Sequence, residues 1–170
     1  MHSQEQIPQN NNGKGETEQK RTAIRDALIA WLPKAESGKE HLPTKYTPEE
    51  AQKYVDWIFR IEDDGSVTVK NLIMFMKTLE SVKEAPPSLT MIDDSLSLSL
   101  INVHSLDWLR GVTINGDLYL PKGEQITTIP DGITIRGKIF AGNGVSKKLI
   151  HDVRGKYPEK FIVLDAVDRS

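Results

Sequence analysis

A ten-residue pattern occurs twice in this chain, 21 residues apart: Gly111-Val112-Thr113-Ile114-Asn115-Gly116-Asp117-Leu118-Tyr119-Leu120 returns as Gly132-Ile133-Thr134-Ile135-Arg136-Gly137-Lys138-Ile139-Phe140-Ala141. A fainter copy, offset by 22, lies upstream at Thr90-Met91-Ile92-Asp93-Asp94-Ser95-Leu96-Ser97-Leu98. A period near 20 residues signals stacked supersecondary units, because one unit cannot bury its apolar face alone. Within each copy apolar residues alternate: Val112, Ile114, Leu118 and Leu120, then Ile133, Ile135, Ile139 and Ala141. Alternation is the strand signal. Gly116 and Gly137 interrupt each pattern and predict a corner that uses glycine's tolerance of positive φ. Asp94 holds the same place in the faint copy, and Asp visits that region more easily than most residues. Each copy therefore reads as strand, corner, strand and return loop, with residues 126–132 as the return segment before the last copy.

Stacking in register sets equivalent residues about 4.8 Å apart. Tyr119 should then stand beside Phe140 and Asp117 beside Lys138. Leu118 and Ile139 should share a dry interior.

Upstream, residues 2–22 hold one large apolar residue, Ile7, among Gln, Asn, Gly, Ser and charge. Such a segment is expected to stay disordered, and its composition also suits a signal for type III secretion. Ile24, Ala27, Leu28, Trp31 and Leu32 follow helical spacing, and Pro33 is expected to close that helix. A polar loop follows to Pro43. Thr47-Pro48-Glu49-Glu50 predicts a capping box with proline at the first helical position, opening a helix with Ala51, Tyr54, Val55, Ile58 and Phe59 on one face. A third helix is expected over residues 69–82, and Glu84-Ala85-Pro86-Pro87-Ser88 reads as a joint. Ser146 should cap a fourth helix carrying Leu149, Ile150 and Val153, which with a last strand at Phe161-Ile162-Val163-Leu164 covers the end of the stack. The predicted organisation is a disordered segment at 1–22, three helices at 23–85 and a repeat region with its cap at 86–170. The fold class expected is α+β: N-terminal helices, then a short parallel β-solenoid of about three turns with a cap helix and strand.

Ile126-Thr127-Thr128-Ile129-Pro130 matches an L-x-x-L-P turn, and Leu118-Tyr119-Leu120 and Ile139-Phe140-Ala141 match an L-x-L strand. On these residues the region from 89 to 145 resembles the leucine-rich repeats of bacterial secreted effector proteins. That resemblance implies protein binding and delivery into host cells by type III secretion. The family's asparagine ladder is missing and the corner glycines imply a flatter coil than its horseshoe. Members with an appended ligase domain use a catalytic cysteine, and this chain has no cysteine. Residues 57–76 are similar to an EF-hand, with Gly65 at its sharp turn. Its first ligand position holds Arg60 and its last holds Asn71, with Glu62, Asp64 and Ser66 between. A guanidinium repels calcium and the bidentate terminal Glu is absent, so the segment is expected to serve packing rather than calcium binding.

Other chemistry is sparse. His2, His41, His104 and His151 show no metal-ligand spacing, and no context positions a serine, histidine and aspartate as a catalytic set. No cofactor and no metal is expected. The net charge of −2 over 170 residues gives no global field toward nucleic acid or membrane. The apolar runs are too short to span a bilayer, and the N-terminus lacks the apolar core of an export signal. Between Arg136 and Lys160 seven basic residues (Arg136, Lys138, Lys147, Lys148, Arg154, Lys156, Lys160) stand against two acidic ones, Asp152 and Glu159. Such a run reads as a solvated cap helix or a face for an acidic or phosphate-bearing partner.

The expectation is a noncatalytic protein-interaction module of the bacterial cytoplasm, delivered to a host cell as an effector. Its surface would be the outward ladder Thr113, Asn115, Asp117, Tyr119, Thr134, Arg136, Lys138 and Phe140, and its partner a protein. Two rivals are a small hydrolase with a site between helices and coil, and a self-associating structural or phage-encoded protein; the oligomeric state is open.

Overall fold

The computed structural model describes residues 12–36, 46–79 and 85–164, with side chains left aside at a few of them. Among the described residues the fold is α+β, with four helices and two sheets. The first helix, α1, spans Asn12–Glu36. This differs from the expectation on both sides. Residues 12–22 are helical where composition predicted disorder, because Lys20 and Arg21 find tertiary partners: Lys20 Nζ donates to the Asp64 carbonyl, and Arg21 pairs with Asp63 at 3.3 Å. Pro33 forfeits one helical hydrogen bond but does not end the helix, whose preceding turn is anchored by buried Leu28, Trp31 and Leu32. Residues 34–36 of the expected polar loop belong to α1 instead, while residues 1–11 of the expected disordered segment and residues 37–43 of that loop lie outside the described residues.

Helix α2, Pro48–Ile58, begins as predicted. Thr47 N–H donates to Glu50 Oε2 at 2.8 Å, and Glu50 N–H donates back to Thr47 Oγ1 at 3.2 Å. Phe59 does not extend the helix. It opens strand β1, Phe59–Ile61, which pairs antiparallel with β2, Val67–Val69. The β-branched Val67-Thr68-Val69 favours a strand over the helix start expected at Val69. Helix α3 is therefore shorter, Leu72–Leu79, with Asn71 Oδ1 accepting the Met74 N–H at 3.2 Å. The part of that helix expected at 80–82 lies outside the described residues.

The EF-hand-like segment is thus helix, hairpin, helix. Arg60 is held by Glu62 at 2.6 Å and by Asp93 at 3.2 Å. Asp64 accepts from the Ser66 N–H and hydroxyl, and Gly65 turns the hairpin at φ 86°. The oxygens that a cation would need are turned to internal partners.

Strands β3 (Leu89–Ile92), β4 (Leu96–Ser97), β5 (Thr113–Ile114), β6 (Leu118–Tyr119), β7 (Thr134–Ile135), β8 (Ile139–Ala141) and β9 (Phe161–Val163) follow, with α4 at Lys147–Lys156 before the last. Two open sheets result, ordered β1-β2-β3-β5-β7 and β4-β6-β8-β9. Each sequence copy gives one strand to each sheet. Pairing between copies is parallel and in register: Ile92 with Ile114 with Ile135, and Leu96 with Leu118 with Ile139. All six side chains are buried. One hydrophobic cluster joins them to Leu28, Val55 and Phe75 of the helices. Edge-to-face ring contacts run through it, from Trp31 to Phe59 at 6.0 Å, Phe59 to Phe75 at 5.9 Å and Phe75 to Trp108 at 5.9 Å. No described helix is long and apolar enough to cross a membrane.

The corner glycines serve a different purpose from the one expected. Gly116 and Gly137 do not have positive φ; the left-handed glycines of the repeat region are Gly111, Gly132, Gly123 and Gly144. Those four also form two pairs 21 residues apart, so the repeat extends beyond the decapeptide. At Gly137 a Cβ would lie 2.6 Å from the Gly116 carbonyl oxygen, and at Gly116 it would lie 2.5 Å from the Ser95 nitrogen. Close approach of neighbouring copies, not backbone twist, excludes a side chain there. Asp94 is tolerated because no earlier copy lies beneath the first corner.

Candidate interaction surface

The eight residues expected to form one flat ladder are distributed over two sheets and the turn between them. Thr113 and Thr134 face outward from β5 and β7. Asn115, Asp117, Arg136 and Lys138 lie at the corners. Tyr119 and Phe140 face outward from β6 and β8. The corners are built by side chains that reach from one copy to the next. Ser95 Oγ accepts the Asp117 N–H at 2.9 Å, and Asp117 Oδ1 accepts the Lys138 N–H at 2.7 Å. Asp117 and Lys138 are neighbours, as the period requires, yet no ion pair joins them. The carboxylate takes the backbone N–H, and Lys138 Nζ donates to the Glu159 carbonyl at 3.3 Å. Asn115 Nδ2 donates to Asp93 Oδ1 at 3.0 Å.

The rings of Tyr119 and Phe140 stack with centroids 4.9 Å apart and planes 17° from parallel. The strand spacing dictates this separation, and the stack contributes roughly 0.5–1 kcal/mol. Both rings are half-buried. Ser97 stands beside Tyr119 on one flank, and Ile162 stands beside Phe140 on the other. The result is an outward row of Ser97, Tyr119, Phe140 and Ile162 across all four strands of the second sheet. Ile162 was missed as a member, although a signal exists: Lys138-Ile139-Phe140 returns as Lys160-Phe161-Ile162 at an offset of 22.

No protein-family model, curated protein or solved structure matches this chain. Its surface has to be read from its own geometry.

The basic run from Arg136 to Lys160 is largely consumed in closing the stack. Inside the stack, the Thr134 N–H donates to the Val112 carbonyl at 3.0 Å and the Arg136 N–H to the Ile114 carbonyl at 2.9 Å. The equivalent carbonyls of the last copy, 21 residues on, belong to Ile133 and Ile135. Tyr157 donates its hydroxyl to Ile133 O at 3.1 Å, and Lys160 Nζ donates to Ile135 O. Lys156 Nζ reaches Ile129 O at 2.8 Å, and Asp152 Oδ2 accepts the Ile129 N–H at 2.8 Å. Side chains thus stand in for the backbone of an absent next copy. Arg154 lies over the Phe161 ring at 5.6 Å. Arg136, Lys147 and Lys148 remain as exposed cations of the run.

These caps titrate. Hydrogen bonding to Lys156, and then its charge, holds the Asp131 carboxyl below its ordinary value of 3.8. A depressed carboxyl stabilises the fold above its unfolded pKa, and that contribution is lost as pH falls through the folded value. Burial first of all raises the Tyr157 phenol above 10.0, and hydrogen bonding to Asp131 raises Lys156 above 10.5. Raised groups give stability that is lost as pH rises through their folded values. Thermal midpoints measured against pH should therefore fall on both sides, below 3.8 and above 10.0. Asp131→Asn should make the acid limb shallower; an unchanged acid limb would remove Asp131 from the cap's energetics.

His104 and His151 are both exposed. Neither lines the open cleft along α1 nor the one formed by Trp57, Lys70, Asn71, Leu72, Ile73 and Asp94. Among the described residues no three His, Asp or Glu side chains are placed to hold a metal ion.

Proposed function

We propose that this chain is a noncatalytic protein-interaction module, built as a leucine-rich-repeat-like coil of three turns, that binds a protein partner through the row Ser97, Tyr119, Phe140 and Ile162. The observation that carries this reading is the outward Tyr119–Phe140 stack. Flat aromatic groups held rigidly by neighbouring strands lose little entropy on binding and are typical of interface hot spots. The face is apolar and uncharged at its centre, with Asp117, Lys138 and Arg136 toward the corner as its polar rim.

Changing Tyr119 and Phe140 together to serine should abolish capture of a partner from host lysate. Thr113→Ala with Thr134→Ala, on the other sheet, should leave capture intact. Full binding by the double serine variant would remove this face from the reading.

The delivered-effector part of the reading rests on the polar composition of residues 2–22 and the repeat resemblance. Residues 1–30 fused to a reporter should be exported from a type III-competent strain. Retention of the reporter would leave an interaction module of the bacterial cytoplasm.

A further inference from the structure

Trp57, in the last turn of α2, is 53% exposed, and Ile73, in the first turn of α3, is 71% exposed. Folded chains usually cover most of a tryptophan. Neither side chain serves the core: the buried residues of α2 are Ala51, Val55 and Ile58, and α3 buries Phe75. Trp57 and Ile73 line one open cleft of about 460 Å³, together with Lys70, Asn71, Leu72 and Asp94. The fold holds its walls in place. The N–H groups of Lys70 and Asn71 both donate to the Ile58 carbonyl, at 2.9 and 3.2 Å, which ties the start of α3 to the end of α2. Asn71 Oδ1 accepts the Met74 N–H at 3.2 Å. The Trp57 ring meets Tyr54 edge-on with centroids 6.3 Å apart, and Tyr54 Oη lies 3.4 Å from the hydroxyl of buried Thr78.

The lining carries two charges. Asp94 Oδ1 accepts the Ser95 N–H at 2.7 Å. The Lys70 ammonium has no hydrogen-bond or ion-pair partner among the described residues. The carboxylates of Glu62 and Asp93 are already taken by Arg60. Exposed apolar side chains gathered beside polar ones mark a docking surface. An unpaired cation among them complements an apolar side chain that has a carboxylate next to it. Asp94 repels a second carboxylate, so the fit is to one acidic residue and not to a run of them. Walls fixed before binding lower the cost of ordering the contact.

We propose that this cleft docks an acidic segment of a protein partner, with an apolar side chain laid between Trp57 and Ile73 and a neighbouring Asp or Glu carboxylate on Lys70. Trp57 is the aromatic anchor, and Lys70 sets the preference for an acid. This inference does not depend on the Tyr119–Phe140 face, which belongs to the second sheet.

Selection of a random dodecapeptide library, displayed on phage, against the full chain tests it, with Lys70→Glu and Trp57→Ala as separate counter-targets. Both positions are exposed, and circular dichroism should show both variants folded. Peptides held by the wild-type chain and lost by both variants should carry an Asp or Glu adjacent or next-but-one to Leu, Ile, Phe or Trp. Such a peptide, once synthesised, should bind Lys70→Glu about tenfold more weakly, since reversal removes an attraction and adds a repulsion. Changing its acid to Lys should restore binding to Lys70→Glu. It should shift the indole N–H resonance of Trp57 and leave those of buried Trp31 and Trp108 in place. Tyr119→Ser with Phe140→Ser should bind it unchanged, which separates this cleft from the proposed partner face. Failure to find a peptide that distinguishes the wild-type chain from Lys70→Glu, or distinguishing peptides that lack an acid, would overturn the proposal. So would self-association of the chain that Lys70→Glu abolishes, because the occupant would then be a second copy.

Discussion

Gly137→Ala is expected to destabilise the fold by about 2–4 kcal/mol. The added Cβ would sit 2.6 Å from the Gly116 carbonyl oxygen and 2.7 Å from its carbon. It would also meet Asp117 Oδ1, which is fixed by the Lys138 N–H at 2.7 Å. Neither obstacle is the free end of a flexible side chain. Relief requires parting two copies whose corner is joined by the Gly137 N–H to the Gly116 carbonyl at 3.0 Å. In a chain of this length the midpoint should drop by roughly 6–12 °C. Gly142→Ala is the matched control: no atom lies within 4 Å of its Cβ, and its change should stay within about 0.5 kcal/mol. A neutral Gly137→Ala would mean that the copies do not approach this closely.

Leu118→Ala should destabilise by about 3–4 kcal/mol, while Tyr119→Ala one residue away should cost about 1 kcal/mol. Leu118 is fully buried between Leu96 and Ile139 of neighbouring copies. Shortening it leaves a cavity inside a stack whose backbone spacing is fixed by hydrogen bonds on both sides, so collapse around the gap is limited. Tyr119 gives up a stacked ring on the solvent side. Chemical denaturation of the two variants measures the contrast. Similar losses at both positions would mean that the strand does not alternate between interior and surface.

The repeat was legible because its period is carried by inward residues, and inward residues are what stacking constrains. Tyr119 beside Phe140 and Leu118 beside Ile139 followed from the offset alone. The reason for the corner glycines was not legible. A glycine spared a clash and a glycine spared a strained φ are the same letter, and here Gly116 and Gly137 belong to the first kind while Gly111 and Gly132 belong to the second. Strand β1 was hidden because Ile58, Phe59 and Ile61 fit a helical face as well as a strand. Only pairing with Val67 and Val69 decides between them. Helix α1 begins earlier than composition suggested because Lys20 and Arg21 act on a turn more than 40 residues away (composition counts charges but not their partners). The cap was half legible: α4 and its apolar face were expected, but that Tyr157 and Lys160 replace missing backbone donors depends on contacts 24 and 25 residues apart. For the interaction surface, the aromatic pair came from the 21-residue period, whereas its flanks, Ser97 and Ile162, lie in copies offset by 22 whose outward residues are not aromatic, so composition did not mark them as part of one row.

Methyl-resolved nuclear Overhauser spectroscopy of the protein in solution tests the stacking most directly. Cross-peaks should link the methyls of Leu96 to Leu118 and of Leu118 to Ile139, as their strand partnerships require. The Tyr119 and Phe140 ring protons should contact each other and not those methyls. Leu118 contacts that lead to some residue other than Leu96 and Ile139, or are absent while the protein is folded, would contradict the stacked arrangement.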